Sequence, residues 1–269
     1  MPRRLILAPA TLAIVALVAA CGGPASAPAL SDPKDIIAQS LDAVKGAQSV
    51  HLDATVDGTV NVDLTGTGAG SDFPLTGTTA SADIDMAGSK ARATFSIPAI
   101  MGLSGELIQI GDTSYVKTSL TGPKYQQQQA TDALPVEPDP SASIDPAAML
   151  DQLDEFLSRP EIAPTKGDDI ACGQKQCYQV LVELTPEEIA AIQAETGAGP
   201  IPSELPVDIG STTLGMTLRV EKDTLRPAGI ALTADMGAQG SITLDLTASK
   251  WDEAVDITAP PADQIQGAS

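Results

Sequence analysis

The chain has 269 residues, and its 35 acidic and 15 basic side chains give a formal net charge of -20. A surface this acidic repels phosphate backbones and anionic headgroups, so the composition argues against nucleic-acid binding and against electrostatic docking onto anionic lipid. Aromatic residues make up only 3% of the chain, so a core contains few large rings, which permits internal space without requiring it.

The first 22 residues have the order of a secretory signal. Arg3 and Arg4 precede an apolar stretch over residues 5–18, which is shorter than the ~20 residues that a membrane-spanning helix needs. Small residues then lead to Cys21, and residues 18–22 resemble a bacterial lipobox, in which cleavage occurs just before a diacylglycerated cysteine. We therefore predict a signal peptide over residues 1–20 and a lipidated Cys21 that anchors the protein on the extracytoplasmic side of the cell membrane. An ordinary signal peptide with a chance cysteine is the alternative.

A tether and a helix are predicted next. Residues 21–31 contain the lipidated cysteine and a segment rich in small residues and proline, which is typical of a flexible linker. Asp32 is then a suitable N-cap, Pro33 suits the first helical position, and Gly46 ends the helical repeat of apolar residues. One stripe of this helix must be buried.

From residue 50 the apolar residues alternate with polar ones, which predicts strands. The alternating runs cover residues 50–56, 60–64, 82–86, 91–97, 108–110, 115–118, 178–184, 214–220, 230–236 and 242–246. Asp57-Gly58 and Gly111-Asp112 are predicted as hairpin turns between neighbouring runs. The pattern predicts an antiparallel meander with one polar and one apolar face, and it assigns Ile108 and Ile110 to the apolar face.

Two further helices are predicted between the two groups of strands. One covers residues 145–160, and the other begins with a capping box at Thr185 and Glu188 and ends at Gly197. The predicted fold class is α+β, with about nine to eleven antiparallel strands in one curved sheet and two or three helices on one face. A single domain is predicted over residues 32–261, followed by a C-terminal tail over residues 262–269.

Two cysteines remain once Cys21 is assigned to lipidation. Cys172 and Cys177 flank a short turn, and so close a pair in an exported protein predicts a disulfide across that turn. A redox pair or half of a metal site is the alternative, but the sequence offers no second cysteine pair and no histidine cluster to complete either one. We therefore predict no metal and no cofactor.

No catalytic constellation is found in the sequence. The one histidine, His51, occupies a polar position of its strand, which favours a solvated or hydrogen-bonded side chain over a catalytic one. The glycine-rich residues 66–70 do not follow a strand and open a helix, so they fail the test for a dinucleotide site. Asp83 and Asp85 lack the spacing of a calcium loop and are interpreted as solvated acids. We predict no catalytic residues.

The order of lipobox, tether, capped helix, meander, helical insertion and terminal strands resembles the actinobacterial LppX/LprG-type lipoproteins. Three segments also resemble stretches of that family, namely residues 110–117, 220–227 and 251–261. The resemblance runs across most of residues 32–261. It implies a fold similar to the LolA/LolB lipoprotein carriers, in which helices lie on the concave side of a half-barrel sheet.

The resemblance also implies a function. Family members hold acylated lipids in an apolar cavity between sheet and helices, and they are associated with moving lipids or lipoglycans toward the outer envelope. We therefore predict a non-enzymatic protein that binds and transports an acylated lipid or lipoglycan, with an envelope transporter as a candidate partner. The alternative is a structural or sensory envelope lipoprotein with a solid core that binds another protein. Strand parity selects these candidate lining residues: Leu52, Val56, Ile84, Phe95, Ile97, Val116, Leu218, Ile230, Leu232, Ile242 and Leu244.

Overall fold

The computed structural model describes residues 29–62, 70–129, 157, 159, 162–196 and 209–267. The predicted signal peptide, Cys21, most of the tether, most of the glycine-rich loop and most of the predicted helix over 145–160 lie outside these residues, and they stay predictions. In the part of the chain that is described, no helix combines the length and apolar character needed to cross a membrane.

One sheet of thirteen strands dominates the described residues. In chain order the strands are β1 Ser49–Val62, β2 Ser71–Pro74, β3 Thr78–Asp85, β4 Lys90–Ile97, β5 Leu103–Ile110, β6 Thr113–Thr118, β7 Gln126–Gln129, β8 Thr165–Lys166, β9 Ile170–Cys172, β10 Lys175–Leu184, β11 Thr213–Glu221, β12 Pro227–Asp235 and β13 Gly240–Ser249. Neighbours pair antiparallel in the order β7-β6-β5-β4-β3-β1-β13-β12-β11-β10-β8, with β2 beside the end of β1 and β9 beside the start of β10. The two outermost strands, β7 and β8, are not paired with each other in this described sheet, so it is unclosed.

The number of strands is higher than the nine to eleven predicted. The additional strands β2, β7, β8 and β9 contain only two to four residues each, which is too few to show an alternating pattern. Short strands of this kind are identified by their hydrogen-bonded neighbours, and the sequence of one strand does not reveal its neighbour.

The predicted turn at Asp57-Gly58 is wrong, because β1 passes through it as a single strand of 14 residues. Gly58 has φ 129°, and a Cβ atom at this position would lie 2.1 Å from the carbonyl oxygen of Ser241 on β13. The glycine therefore permits a close approach of two strands rather than a reversal of the chain. The turn predicted at Gly111-Asp112 is confirmed between β5 and β6.

Two α-helices are described from end to end, besides three 3-10 helices of three residues each. The first, α1, spans Pro33–Lys45, and the Asp32 side chain accepts a hydrogen bond from a first-turn amide at 2.8 Å, which confirms the N-cap. The second, α2, spans Pro186–Thr196. Its capping box is confirmed, because the Thr185 amide donates to Glu188 Oε2 at 2.8 Å and the Glu188 amide donates to Thr185 Oγ1 at 3.3 Å.

Both helices pack against the same face of the sheet. The main hydrophobic core contains buried residues of α1, α2, β10 and β11, together with Leu157 and Ile162 from the chain before β8. Its members from the four elements are Ile36, Ile37, Leu41, Tyr178, Val180, Val182, Leu184, Ile189, Ile192, Leu218 and Val220. We call the face that carries Val180 and Leu218 the inner face, and the opposite face the outer face. Leu157, from the predicted helix over 145–160, is buried in this core.

After β13 the chain crosses the outer face as residues 250–267, here called the C-terminal segment. At its start, the Asp252 amide donates to the Ser49 carbonyl at 3.0 Å, and the Asp252 carboxylate accepts from the Gln48 amide at 2.7 Å. At its end, the Tyr125 amide donates to a backbone carbonyl of the segment at 2.8 Å. This last contact lies beyond residue 261, the domain boundary predicted from the sequence, and that boundary stays a prediction.

A second, smaller core lies beneath the C-terminal segment. Ile257 packs there against Ile108 and Tyr125, and all three side chains are buried. The sequence assigned Ile108 and Ile110 to the apolar face, and this assignment is wrong. The register places Ile108 opposite Arg92 on β4, on the outer face, and the C-terminal segment covers it.

The predicted disulfide joins Cys172 on β9 to Cys177 on β10, with the two Cα atoms 5.9 Å apart. Gly173 occupies the turn between them with φ 62°, a conformation that glycine adopts without strain. The bond therefore closes a β-hairpin, which is the structural interpretation of the cysteine pair.

Candidate functional site

The strand register places all eleven candidate lining residues on the inner face. Directly paired residues of antiparallel strands point to the same side of a sheet. Leu218 in the main core pairs with Ile230, Leu232 pairs with Leu244, and Leu244 also pairs with Val56. The same pairing places the other six candidates on the inner face, on β1 and β13 and, further out, on β3, β4 and β6. They are Leu52, Ile84, Phe95, Ile97, Val116 and Ile242.

These residues differ in burial from the residues under the helices. Val180 in the main core is 0% exposed, whereas Leu232 is 41% exposed. Of the eleven candidates, Leu218 alone is buried, and the rest are partly or clearly exposed. Within the described residues, no member of the main core comes from β1 to β6. The inner face of these strands is therefore an apolar surface that the described helices leave partly uncovered.

Sequence reasoning missed Leu107, which also lies on this surface. Leu107 on β5 pairs with Ala93 and Val116 and lies on the inner face. It was missed because Ile108 and Ile110 suggested the opposite parity for β5. The two-residue turn at Gly111-Asp112 fixes the β5–β6 register, and pairing outward from that turn would have identified Leu107 as the neighbour of Val116.

A groove of about 640 Å³ lies on the outer face, between the disulfide hairpin and the start of the C-terminal segment. None of the eleven candidate residues lines it. Its walls include Trp251 and paired charges, with Lys175 Nζ 2.5 Å from Glu221 Oε2 and Arg219 Nη2 2.9 Å from Asp245 Oδ1. A groove with this lining does not suit an acyl chain, so the inner face is the better candidate for a lipid.

His51 lies on the outer face between two carboxylates. Its Nδ1 atom is 2.6 Å from Asp83 Oδ1, and its Nε2 atom is 3.2 Å from Asp53 Oδ2 and 3.5 Å from Ser81 Oγ. The order Ser81, His51 and Asp83 has the components of a catalytic triad, but Asp53 competes for the Nε2 atom that would activate the serine. None of these residues lines the outer-face groove. Within the described ranges, no group of three or more metal-ligating side chains was found.

Glu106 is the centre of an ionic network on the outer face. The Tyr125 hydroxyl donates to Glu106 Oε2 at 2.7 Å. Arg92 Nε donates to Oε1 at 2.8 Å, and Lys117 Nζ lies 3.2 Å from Oε2. Burial by itself raises the pKa of Glu106, but the hydrogen bonds from its three donors outweigh this effect and hold the pKa below its ordinary value of 4.5. The ionised carboxylate thus links β4, β5 and β6 to Tyr125, where the C-terminal segment ends.

We expect Glu106→Gln to lower the free energy of unfolding at neutral pH by about 1.5–3 kcal/mol, because hydrogen bonds to a charged group are lost. The lowered pKa means that the carboxylate stabilises the fold fully above about pH 4.5, and that this contribution is lost as the pH falls through the lowered value. Urea titrations should therefore show the difference between Glu106→Gln and the wild type shrinking as the pH is lowered below about 4.5. The exposed Asp112 provides a control, since Asp112→Asn should change the unfolding free energy by less than about 0.5 kcal/mol. A difference that is independent of pH would contradict this account.

Comparison with known proteins identifies the family. A model of the LppX_LprAFG lipoprotein family matches residues 32–257, which is most of the chain.

The crystal structure of LprF from Mycobacterium bovis is 21% identical to this chain. It covers 85% of this chain and 96% of its own length, with a TM-score of 0.49. LppX from Mycobacterium tuberculosis is 17% identical, with coverages of 84% and 98% and a TM-score of 0.47. A LolA superfamily protein from Nitrosomonas europaea is 8% identical, with coverages of 88% and 98% and a TM-score of 0.27. No curated protein sequence matches the chain. Because the family model extends from the N-cap of α1 into the C-terminal segment, the chain belongs to the LppX_LprAFG lipoprotein family.

Proposed function

We propose that the protein binds an acylated lipid along the inner face of its sheet and carries it across the cell envelope, while a lipidated Cys21 holds the protein at the membrane. The observation that supports this most strongly is the partial exposure of the apolar side chains on the inner face. Apolar side chains of nine successive strands, from β6 to β10 in the order of the sheet, line up on one face, yet most of them are partly exposed rather than packed as in a solid core.

The energetics of acyl chains favour such a container. Exposing an acyl chain to water costs about 0.8 kcal/mol per methylene, so a lipid with two or three chains needs an apolar surface around it to cross an aqueous gap. The inner face offers aliphatic side chains, which provide this surface without hydrogen-bond donors that would go unpaired. No covalent chemistry is required, so the proposed function is that of a binding protein and not of an enzyme.

We also propose that the sheet curves around the lipid, with the helices on its concave side. Strands in a sheet are rotated relative to one another by about 20–25°, and an open sheet of this many strands curls as the twist accumulates. Support comes from the position of α1 and α2, which both pack on the inner face over β10 and β11. Curvature toward the helices would bring the partly exposed residues of the two halves of the sheet toward each other.

The direct test is to isolate the mature protein from a related host under mild conditions and to record its intact mass by native mass spectrometry. Lipid extraction from the same preparation would identify any ligand. We expect a stoichiometric acylated ligand that dissociates when the protein is denatured. A mass without ligand, together with no uptake after incubation with host lipids, would refute the proposal and favour an envelope protein with a protein partner.

A further inference from the structure

Three neighbouring turns form one end of the sheet, and we call this end the apolar rim. The rim comprises residues 75–77 between β2 and β3, residues 98–102 between β4 and β5, and residues 119–124 after β6. The first two turns touch, since a Cβ atom on Gly77 would lie 3.5 Å from Pro98 Cγ. The second and third are joined through the base of β5, where the Ser119 amide donates to the Ser104 carbonyl at 2.8 Å. The three turns are therefore one continuous surface.

Large apolar side chains project from this surface. Met101 is 86% exposed, Leu120 is 62% exposed and Ile100 is 38% exposed. Met101 also has φ 49°, in the left-handed region that residues with large side chains seldom occupy. Neither burial nor backbone preference accounts for a methionine at this position. Strained conformations of this kind tend to occur at functional sites.

The charge of the rim differs from that of the whole chain. Its three turns contain no acidic residue and a single basic one, Lys124, although the chain has 35 acidic residues. Turns at the opposite end of the sheet, over residues 222–226 and 250–253, contain six charged side chains. Since an acidic protein is repelled from anionic headgroups, a group of turns without acids can approach a bilayer more closely than the charged turns can.

The rim is continuous with the inner face. Ile97 and Leu103 form the pair that closes the β4–β5 turn, and they lie on the same side of the sheet as Phe95. Apolar surface therefore extends without interruption from the exposed side chains of the turn to the proposed lipid-binding residues.

We propose that the apolar rim docks the protein onto a lipid bilayer, with Ile100, Met101 and Leu120 inserted among the acyl chains. Transfer of large apolar side chains into the bilayer interface is favourable and needs no electrostatic attraction. Three separate side chains on narrow turns fit a fluid surface, which adapts to them, better than they fit a rigid partner. This inference rests on the proposed function, for which it supplies the place where lipid passes between the bilayer and the inner face.

The test uses the mature chain with Cys21→Ser, so that no acyl anchor is present, and vesicles of phosphatidylcholine. Flotation should recover the protein with the vesicles. The double variant Met101→Ser and Leu120→Ser should reduce the partition coefficient about 100-fold, which corresponds to about ten-fold for each side chain. Both side chains are exposed, so the urea midpoint should not change, and this measurement checks that the variant is folded.

A fluorescence measurement locates the contact. In a Trp251→Phe background, which removes the one native tryptophan, Met101→Trp should be quenched by brominated lipid. Ala87→Trp, in an exposed turn at the opposite end of the sheet, is the matched control and should not be quenched.

The proposal would be overturned by a parent protein that does not float, by equal flotation of the double variant, or by quenching at position 87 but not at 101. Self-association that disappears in the double variant would assign the rim to a second copy of the chain and would also refute the proposal. Native mass spectrometry on the same preparations separates this result from the proposed function. Protein that carries lipid but does not bind vesicles refutes only the docking of the apolar rim. Protein that binds vesicles but carries no lipid refutes the proposed lipid-carrying function.

Discussion

Tryptophan at both Val56 and Leu244 is expected to reduce lipid loading by at least about ten-fold while the domain stays folded. The two residues face each other across β1 and β13 on the inner face, and both are partly exposed. Two indole rings would occupy space beside the central strands. Excluding only two methylenes of a lipid from this space already costs about 1.6 kcal/mol, which is more than ten-fold in affinity. The measurement is the fraction of protein with bound lipid by native mass spectrometry.

The same two strands provide a matched control. Thr55 and Thr243 are the sequence neighbours of Val56 and Leu244, but they are exposed on the outer face. Tryptophan at these two positions adds the same bulk to the same strands, but on the outer face, opposite to the face proposed to bind lipid. Its loading should equal that of the wild type. Unchanged loading in a folded inner-face variant, or an equal loss in both variants, would place the lipid elsewhere.

Ile257→Ala is expected to lower the free energy of unfolding by about 2–5 kcal/mol, although Ile257 lies in a segment with no regular secondary structure there. Its side chain is 3% exposed and fills the space over Ile108 and Tyr125. Shortening it would leave a cavity and weaken the contact that holds the C-terminal segment on β5 and β6. Equilibrium unfolding in urea provides the measurement.

The adjacent residue is the control for this prediction. Thr258 is exposed, so Thr258→Ala should change the unfolding free energy by less than about 0.5 kcal/mol. If Ile257→Ala changed the unfolding free energy as little as Thr258→Ala, the C-terminal segment would cover the outer face without stabilising the fold. The burial of Ile108 would then need another explanation.

The inner face could be predicted because its signal is local. In a strand such as β1, Leu52, Ala54 and Val56 alternate with His51 and polar neighbours, and a period of two assigns each side chain to a face without knowledge of the partner strand. The helix starts were also predictable, because Asp32 and Thr185 form their capping hydrogen bonds within a few residues of themselves.

The parts that were missed depend on distant residues. β5 has apolar side chains of both parities, Leu107 and Ile108, and the outer one is buried because Tyr125 and Ile257, from later parts of the chain, pack with it. Asp57-Gly58 has the composition of a turn, but the approach of Ser241 on β13 shows why a glycine is needed there in a continuous strand. The projecting side chain of Met101 was not predicted either, since a turn sequence does not reveal which apolar residues remain exposed.

The pairing of β1 with β13 determines when the sheet can be completed. In the described sheet, the strands from β2 to β7 and those from β8 to β12 are connected only through this pair, which brings the first strand beside the last. Contacts between residues so distant in sequence form late, because the intervening chain must first be ordered. During synthesis, β1 therefore keeps one unpaired edge until the final strand has emerged. Such an edge can pair with strands of other molecules, so β1 is exposed to aggregation until β13 covers it.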